Sequence, residues 1–308
     1  MKAYILRRIA QFVFVFFGST FLVFALVYVL PGDPAMSLGG VKPLPPDLRE
    51  VIVRRYHLDE PLLVQYMYYM KGIFTLDFGT SFSGRPVLDV LIDAFPWTFT
   101  LAVMTIVIES VFGIAFGIFA GLKRGGVFDV SILVISTFLI SVPTFVLGFV
   151  LQFFVGVKLG WLPVTASIDM SFTSLLMPSL VLGAVSFAYI LRLTRVEIAE
   201  NYSARYVRTA RAKGLRESGV IAKHVVRNSM IPVLTYIGTD FGALMGGAIV
   251  TEGIFNIPGI GGTLFKAILK SESSTVVSFS IVIILAYILS SFLVDIIYVI
   301  LDPRIRYE

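Results

Sequence analysis

Two carboxylates, Glu109 and Asp240, stand well inside long apolar runs of the sequence. Facing hydrocarbon there would be expensive, so each is expected to face the protein interior or a watery cavity. Such a carboxyl can line the path of a solute or coupling ion, or serve as a protonated or hydrogen-bonded structural group; residue type and position leave both open. Other chemistries lack their residues. With no cysteine there is no disulfide, thiol or cysteine-metal chemistry, and His57 and His224 lie too far apart in sequence to suggest a cluster. Nothing reads G-x-x-x-x-G-K-[ST], the loop that cradles phosphates for nucleotide hydrolysis.

The most polar and basic stretch runs from Arg192 to Pro232, with nine basic residues between Arg192 and Arg227 and apolar runs on both sides. Such a segment must lie in water. Ile198, Tyr202, Tyr206 and Ala210 recur every fourth residue, which predicts one helical face, with Arg205, Arg208 and Arg211 on others. Gly214 fits the left-handed position past a helix end, Lys213 and Arg211 suit the negative end of the dipole, and Leu215 offers an apolar contact after the cap. Ser218 is the expected N-cap of a second helix through Ile221, Val225 and Ser229, with Pro232 marking its handover to the next apolar span. A helix-glycine-helix of this kind either holds the chain's orientation through its positive charge or receives force from a soluble partner.

These groups need elements to carry them. The chain has 308 residues, 57% hydrophobic and 15% charged, with mean hydropathy +0.89, which marks an integral membrane protein. Its formal charge of +5 needs no nucleic acid, because the basic residues gather in segments expected on the cytoplasmic side. Apolar runs fall near 9–30, 97–122, 130–157, 175–193, 231–250 and 276–301, each long enough to approach or cross a hydrocarbon core of roughly 30 Å. Six spans is therefore the expectation. The first is read as an uncleaved span, since no small-x-small cleavage pattern follows it. Lys2, Arg7 and Arg8, then Lys123 and Arg124, the central basic stretch, and Arg304 and Arg306 alternate with segments poorer in positive charge, so both termini are expected in the cytoplasm.

Between the first two runs the chain is polar, with helical patterns at 47–56 and 61–74. Asp59 or Glu60 is the expected cap of the second, with Pro61 in its first turn. Tyr66, Tyr68, Tyr69, Ile73 and Phe74 could rest on the membrane interface or receive a partner. Gly113, Gly117 and Gly121, and Gly238, Gly242 and Gly246, recur at four-residue spacing, which lets helix backbones approach closely, either within this chain or against a second subunit. Pro143 should kink the third span. The expected organisation is a first span over 1–30, an external helical subdomain over 31–96, and a five-span core over 97–308 with a cytoplasmic loop at 194–230.

Tyr206-Val207-Arg208-Thr209-Ala210-Arg211-Ala212-Lys213-Gly214-Leu215 closely resembles the cytoplasmic loop of ABC importer permeases of the dipeptide, oligopeptide and nickel group. Further likenesses are Leu30-Pro31-Gly32-Asp33-Pro34, Asp77-Phe78-Gly79-Thr80-Ser81-Phe82, Phe255-Asn256-Ile257-Pro258-Gly259-Ile260-Gly261-Gly262, and the ending from Asp295 to Arg306, which is similar to the group's first permease subunit. The resemblance covers nearly the whole chain, and the joint order of the motifs makes it specific. It implies an all-α, six-span type I importer fold in which the loop around Ala210, Ala212 and Gly214 is the coupling helix. It also implies a second permease subunit, two cytoplasmic ATP-binding subunits that carry ATP and Mg, and an external solute-binding protein, this chain itself holding no cofactor. Thr209-Ala210-Arg211 stands where the generic motif has Glu-Ala-Ala, a departure the peptide group shares, and Asp240 stands where the group leads one to expect an uncharged polar residue. The implied cargo is a peptide, an oligosaccharide or a nickel complex. The competing functions are a secondary transporter coupled to ions or protons through Glu109 and Asp240, and a membrane scaffold.

Overall fold

In the computed structural model, residues 2–29, 45–55, 57–81, 83–166, 170–245 and 248–301 are described. They form helices and no strand, with one isolated bridge between Thr80 and Pro86. The Leu30–Pro34 motif, Phe82, Gly246 and the chain's last seven residues lie outside them.

Long apolar runs with few breakers become long helices: α1 (Lys2–Val29), α4 (Val87–Leu122), α7 (Phe172–Tyr202) and α13 (Ser273–Leu301). These are the four described helices long and apolar enough to cross a membrane. At ~1.5 Å per residue, the 36 residues of α4 are more than a bilayer core needs. It starts ten residues before its apolar run and takes in Pro96.

The third run breaks rather than kinks. The α5 helix (Val127–Ser141) ends at Val142, which is extended, and Pro143 heads α6 (Thr144–Leu151); the bend is 104°. Both faults trace to proline, which lacks the N–H the ladder needs and pushes the residue before it out of the α region. Past α6 the helix widens into a π-helical stretch over Gln152–Lys158. If the bent pair is one broken span, it makes a fifth crossing.

Two shorter helices, α2 (Pro46–Arg55) and α3 (Leu62–Phe74), lie where the periodicity places them. The cap of α3 differs from expectation. Pro61 itself occupies the N-cap position without a side-chain bond, and Gln65 reaches back to the Glu60 carbonyl at 2.7 Å. The remaining helices are α8 (Arg205–Ala212), α9 (Glu217–Val220) leading through π-helical turns at Ile221–Val226 into α10 (Arg227–Met245), then α11 (Ile249–Ile254) and α12 (Ile260–Leu269).

The chain forms two units, Met1–Phe99 with Met245–Leu289, and Thr100–Leu244 with Ser290–Glu308. The core of the first gathers Phe24 of α1, Tyr66, Met70 and Ile73 of α3, Leu264 of α12 and Phe279 of α13. Tyr66 and Ile73 are therefore internal, and the Tyr66 hydroxyl bonds Thr20 Oγ1 at 2.7 Å; Tyr68 and Phe74 stay on the surface. A buried carboxylate closes this unit. Glu252 accepts from Thr98 Oγ1 at 2.8 Å and from the Gly262 amide at 2.7 Å, while Thr98 Oγ1 accepts from the Ile260 amide at 2.8 Å. Amides left open at the start of α12 are thus satisfied, Ile260 by the Thr98 hydroxyl and Gly262 by the Glu252 carboxyl. A Cβ on Gly259 would lie 2.5 Å from both Glu252 Oε2 and Thr98 Oγ1, so this glycine serves close approach rather than a turn alone.

In the second unit the glycine stripe of α4 presses on α7. A Cβ on Gly113 would lie 2.7 Å from Ile190, on Gly117 2.5 Å from Thr194, and on Gly121 2.8 Å from the Arg195 carbonyl. Of the two partners the spacing allows, this stripe packs within its own chain.

Candidate functional site

The α7 helix outruns its apolar segment by more than two turns, ending at Tyr202; Ser203 and Ala204 break the helix before α8 begins. The predicted face through Ile198, Tyr202, Tyr206 and Ala210 is therefore split between two helices. Within α8, Val207 and Ala210 are buried against Ile198, Val220 and Val225, while Tyr206 is 41% exposed. No glycine or proline announces the break. Its local support is polar: the Tyr206 hydroxyl donates to Asn201 Oδ1, and Asn201 Nδ2 donates to Ser229 Oγ at 3.1 Å.

The end of α8 follows the sequence closely. Gly214 has φ +77°, its amide donates to the Arg211 carbonyl at 2.9 Å, and the Leu215 amide reaches the Ala210 carbonyl at 3.4 Å, the paired bonds of a Schellman cap. Leu215 is half exposed rather than folded under the cap. The next helix starts at Glu217, with Arg216 rather than Ser218 at the N-cap position. At that start Arg211 donates to both Glu217 oxygens at 3.0 and 2.7 Å while its guanidinium lies 4.4 Å over the Tyr202 ring. The Arg211 bond holds the Glu217 carboxyl below the usual range, and the same bond raises Arg211. Pro232 lies inside α10, so the second helix runs into the next apolar segment without a stop.

Thus the ten residues from Tyr206 to Leu215 form one short helix and its cap. Val207 and Ala210 anchor it; Arg205, Arg208, Thr209, Ala212, Lys213 and Leu215 face outward.

Glu109 of α4 is 1% exposed, and among the described residues neither of its oxygens has a hydrogen-bond partner. The structure brings Asp240 of α10 close enough for the two carboxyls to interact. Asp240 Oδ1 accepts from Ser186 Oγ at 2.9 Å, while its Oδ2 is without a partner there. Glu109 also borders a cavity of about 480 Å³ whose walls, including Phe112, Phe116, Leu139 and Phe187, are mainly apolar.

Sequence reasoning counted Asp129, Arg192 and Arg195 only as loop charge or passed over them. They form a partly buried polar join between α5 and α7, with Arg195 forked onto the buried Asp129. The available signal was an acid at the start of one apolar run and basic residues at the end of another.

Comparison with known proteins decides the family. The family described as "Binding-protein-dependent transport system inner membrane component" matches residues 113–307, and its N-terminal companion, "Binding-prot-dependent transport system membrane comp, N-term", matches residues 1–102. The chain belongs to this family. Over the full length of both chains, the permease is 34% identical across 335 residues to a di/tripeptide transport system permease protein of Pseudomonas aeruginosa (strain UCBPP-PA14). It is 37% identical across 309 residues to a glutathione transport system permease protein of Escherichia coli (strain K12), again over the full length of both. A "probable peptide ABC transporter permease protein" of Sinorhizobium fredii (strain NBRC 101917 / NGR234) is 34% identical across 318 residues, with complete coverage of both chains. The protein is an ABC importer permease of the peptide family, a multi-pass component of the inner membrane and a transport subunit rather than a catalytic one.

Proposed function

We propose that this permease moves peptides or a related small solute, an oligosaccharide or nickel complex among them, across the cytoplasmic membrane by alternating access driven from partner ATPases. The observation that carries the proposal is α8: a short helix ending at Gly214, anchored through Val207 and Ala210 and presenting a basic outer surface with an exposed leucine beside it. Residues 206–215 would seat on an ATP-binding subunit, and closure of two such subunits would draw α8 and the spans attached to it. The proposed assembly has a second permease subunit, two ATP-binding subunits holding ATP and Mg, and an external binding protein that does most of the selecting. Six spans, both termini in the cytoplasm and an external subdomain over 31–96 complete the proposed arrangement. Support comes from the family membership, the long apolar helices and the position of α2 and α3 between the first two of these.

Glu109 and Asp240 are assigned to the solute path, because a buried carboxyl with open oxygens retains hydrogen-bonding capacity that packing has not consumed. The same pair is what would favour an ion-coupled secondary transporter. Purification of the tagged permease from its native membrane tests both. Recovery of a second permease and P-loop ATPases with ATP-dependent uptake supports the importer; recovery alone, with uptake driven by a proton or sodium gradient, overturns it.

A further inference from the structure

The join between α5 and α7 has a form that helix packing alone does not require. Asp129, in the first turn of α5, is 1% exposed. Its Oδ1 accepts from Arg195 Nε, and its Oδ2 accepts from Arg195 Nη2 at 2.7 Å and from the Gly125 amide at 2.8 Å. One turn earlier on α7, Arg192 donates through Nε to Ser136 Oγ at 2.9 Å and through Nη2 to Thr137 Oγ1 at 2.6 Å. Two arginines of α7 therefore hold α5 at two levels. On another side of α7, Gly121 of α4 fits against the Arg195 carbonyl and Ile198, and Ile198 is also the residue on which Val207 and Ala210 of α8 rest. Arg195 and Ile198 thus sit where α4, α5 and α8 all meet α7.

Desolvating an aspartate and an arginine consumes much of what their attraction returns, so a well-packed apolar pair would hold the helices together at least as firmly. What the apolar pair lacks is direction. A guanidinium forked onto a carboxylate fixes distance, angle and register together.

We infer that Asp129 and Arg195 are positioning residues that make α5 move with α7 and α8 as one body, carrying a displacement of α8 to α5 and, past the break at Pro143, to α6. The inference rests on the proposed coupling role of α8. Spatial continuity alone does not establish coupling, so the test must measure it.

The experiment uses the complete importer in lipid nanodiscs for spectroscopy and in proteoliposomes for uptake. Four forms of the permease are compared: native, Asp129→Asn, the reversed pair Asp129→Arg with Arg195→Asp, and the apolar pair Asp129→Leu with Arg195→Met. Labelled dialanine and labelled glutathione are the probes, and the readout is uptake per ATP hydrolysed in complexes that remain monodisperse. Asp129→Asn should lower that ratio about tenfold with ATP hydrolysis retained, and the reversed pair should bring it back to within about threefold of native. The apolar pair should assemble like the native protein and still be uncoupled. An apolar pair with native uptake per ATP would reduce the join to packing and overturn the inference.

A second measurement decides the matter if neither probe is carried. Because the chain has no cysteine, single spin labels can be placed at Val134→Cys on α5 and at Arg205→Cys on α8, outside the docking residues 206–215. Their distance distribution should stay narrow through ATP binding and vanadate trapping in the native join and broaden in the apolar pair; equal widths refute the inference. Gly214→Trp, which leaves Asp129 and Arg195 in place, separates the two readings. If it couples normally, the role given to α8 fails; if it uncouples while the Asp129 variants do not, only the positioning role falls.

Discussion

Glu252 and Glu109 are both shielded from water, but Glu252 is bonded by Thr98 and by the Gly262 amide, while Glu109 has no hydrogen-bond partner for either oxygen among the described residues. The glycines beside both carboxyls are tight, and the cavity beside Glu109 is what differs. A Cβ at Gly259 would collide with both Glu252 and Thr98, so that site is closed to additions. Gly183, beside Glu109, would bring a Cβ to 3.0 Å from Glu109 Oε2, and Glu109 borders a cavity. One carboxyl is bonded to the backbone it holds in place; the other sits beside Asp240 and a cavity. Burial alone does not tell the two carboxyls apart, whereas their hydrogen-bond partners do.

The comparison breaks first at Glu252. Glu252→Leu leaves the Gly262 amide and the Thr98 hydroxyl without their acceptor, and should lower stability by about 3 kcal/mol. The thermal midpoint of the detergent-solubilised permease should fall and less monodisperse protein be recovered; a midpoint unchanged from native would show that this carboxylate is not structural. Second in size is Gly117→Leu, which forces a side chain into a gap where even a Cβ lies 2.5 Å from Thr194 and 2.8 Å from the Leu191 carbonyl. Overpacking there should cost about 2–3 kcal/mol. The same midpoint measures it, and an unperturbed value would mean that α4 and α7 do not touch along this stripe.

Glu109 sharpens the contrast, because its expected effects on stability and function diverge. Glu109→Gln keeps the size and shape of the side chain, so the thermal midpoint should stay close to native, while uptake falls about tenfold if the carboxyl serves the path. Native uptake in this variant and in Asp240→Asn would remove both from the path and leave them as structural groups.

Where the sequence was legible, one local rule decided the outcome. Gly214 needs the left-handed cap that φ +77° provides, α2 and α3 follow their periodicity, and the stripe of Gly113, Gly117 and Gly121 marks close helix contact. What stayed hidden depends on residues distant in sequence. The 104° break shares its cause with a mild kink, and only neighbours decide how far a proline-containing helix bends. The division of α7 from α8 has no glycine or proline to signal it. Asp129 finds Arg195 across 66 residues and Glu252 finds Thr98 across 154, separations over which pattern carries no information. In the candidate site, the cap was readable and the buried anchors Val207 and Ala210 only half so, since Tyr206 was assigned to a face that the break removes.

The smallest expected effect lies at the surface, at the Arg211–Glu217 pair beside the cap of α8. Arg211 holds the Glu217 carboxyl below its ordinary value, so the pair contributes fully above the unfolded carboxylate value of about 4.3 and is lost as pH falls through the lower folded value. Between pH 7 and pH 5 nothing should change. Carboxyl carbon shifts of Glu217 in selectively labelled permease should show a midpoint below that of a free glutamate, and Arg211→Gln should move it upward. A midpoint at the free value in the native protein would mean that the pair does not persist in solution. Exposure and salt screening keep the stabilisation slight, so its weight is geometric: the ion pair joins the last turn of α8 to the first of α9 across Gly214. Glu252 buries its bonds and shapes a core, whereas this pair leaves its bonds in water, where an incoming surface can replace them at little cost.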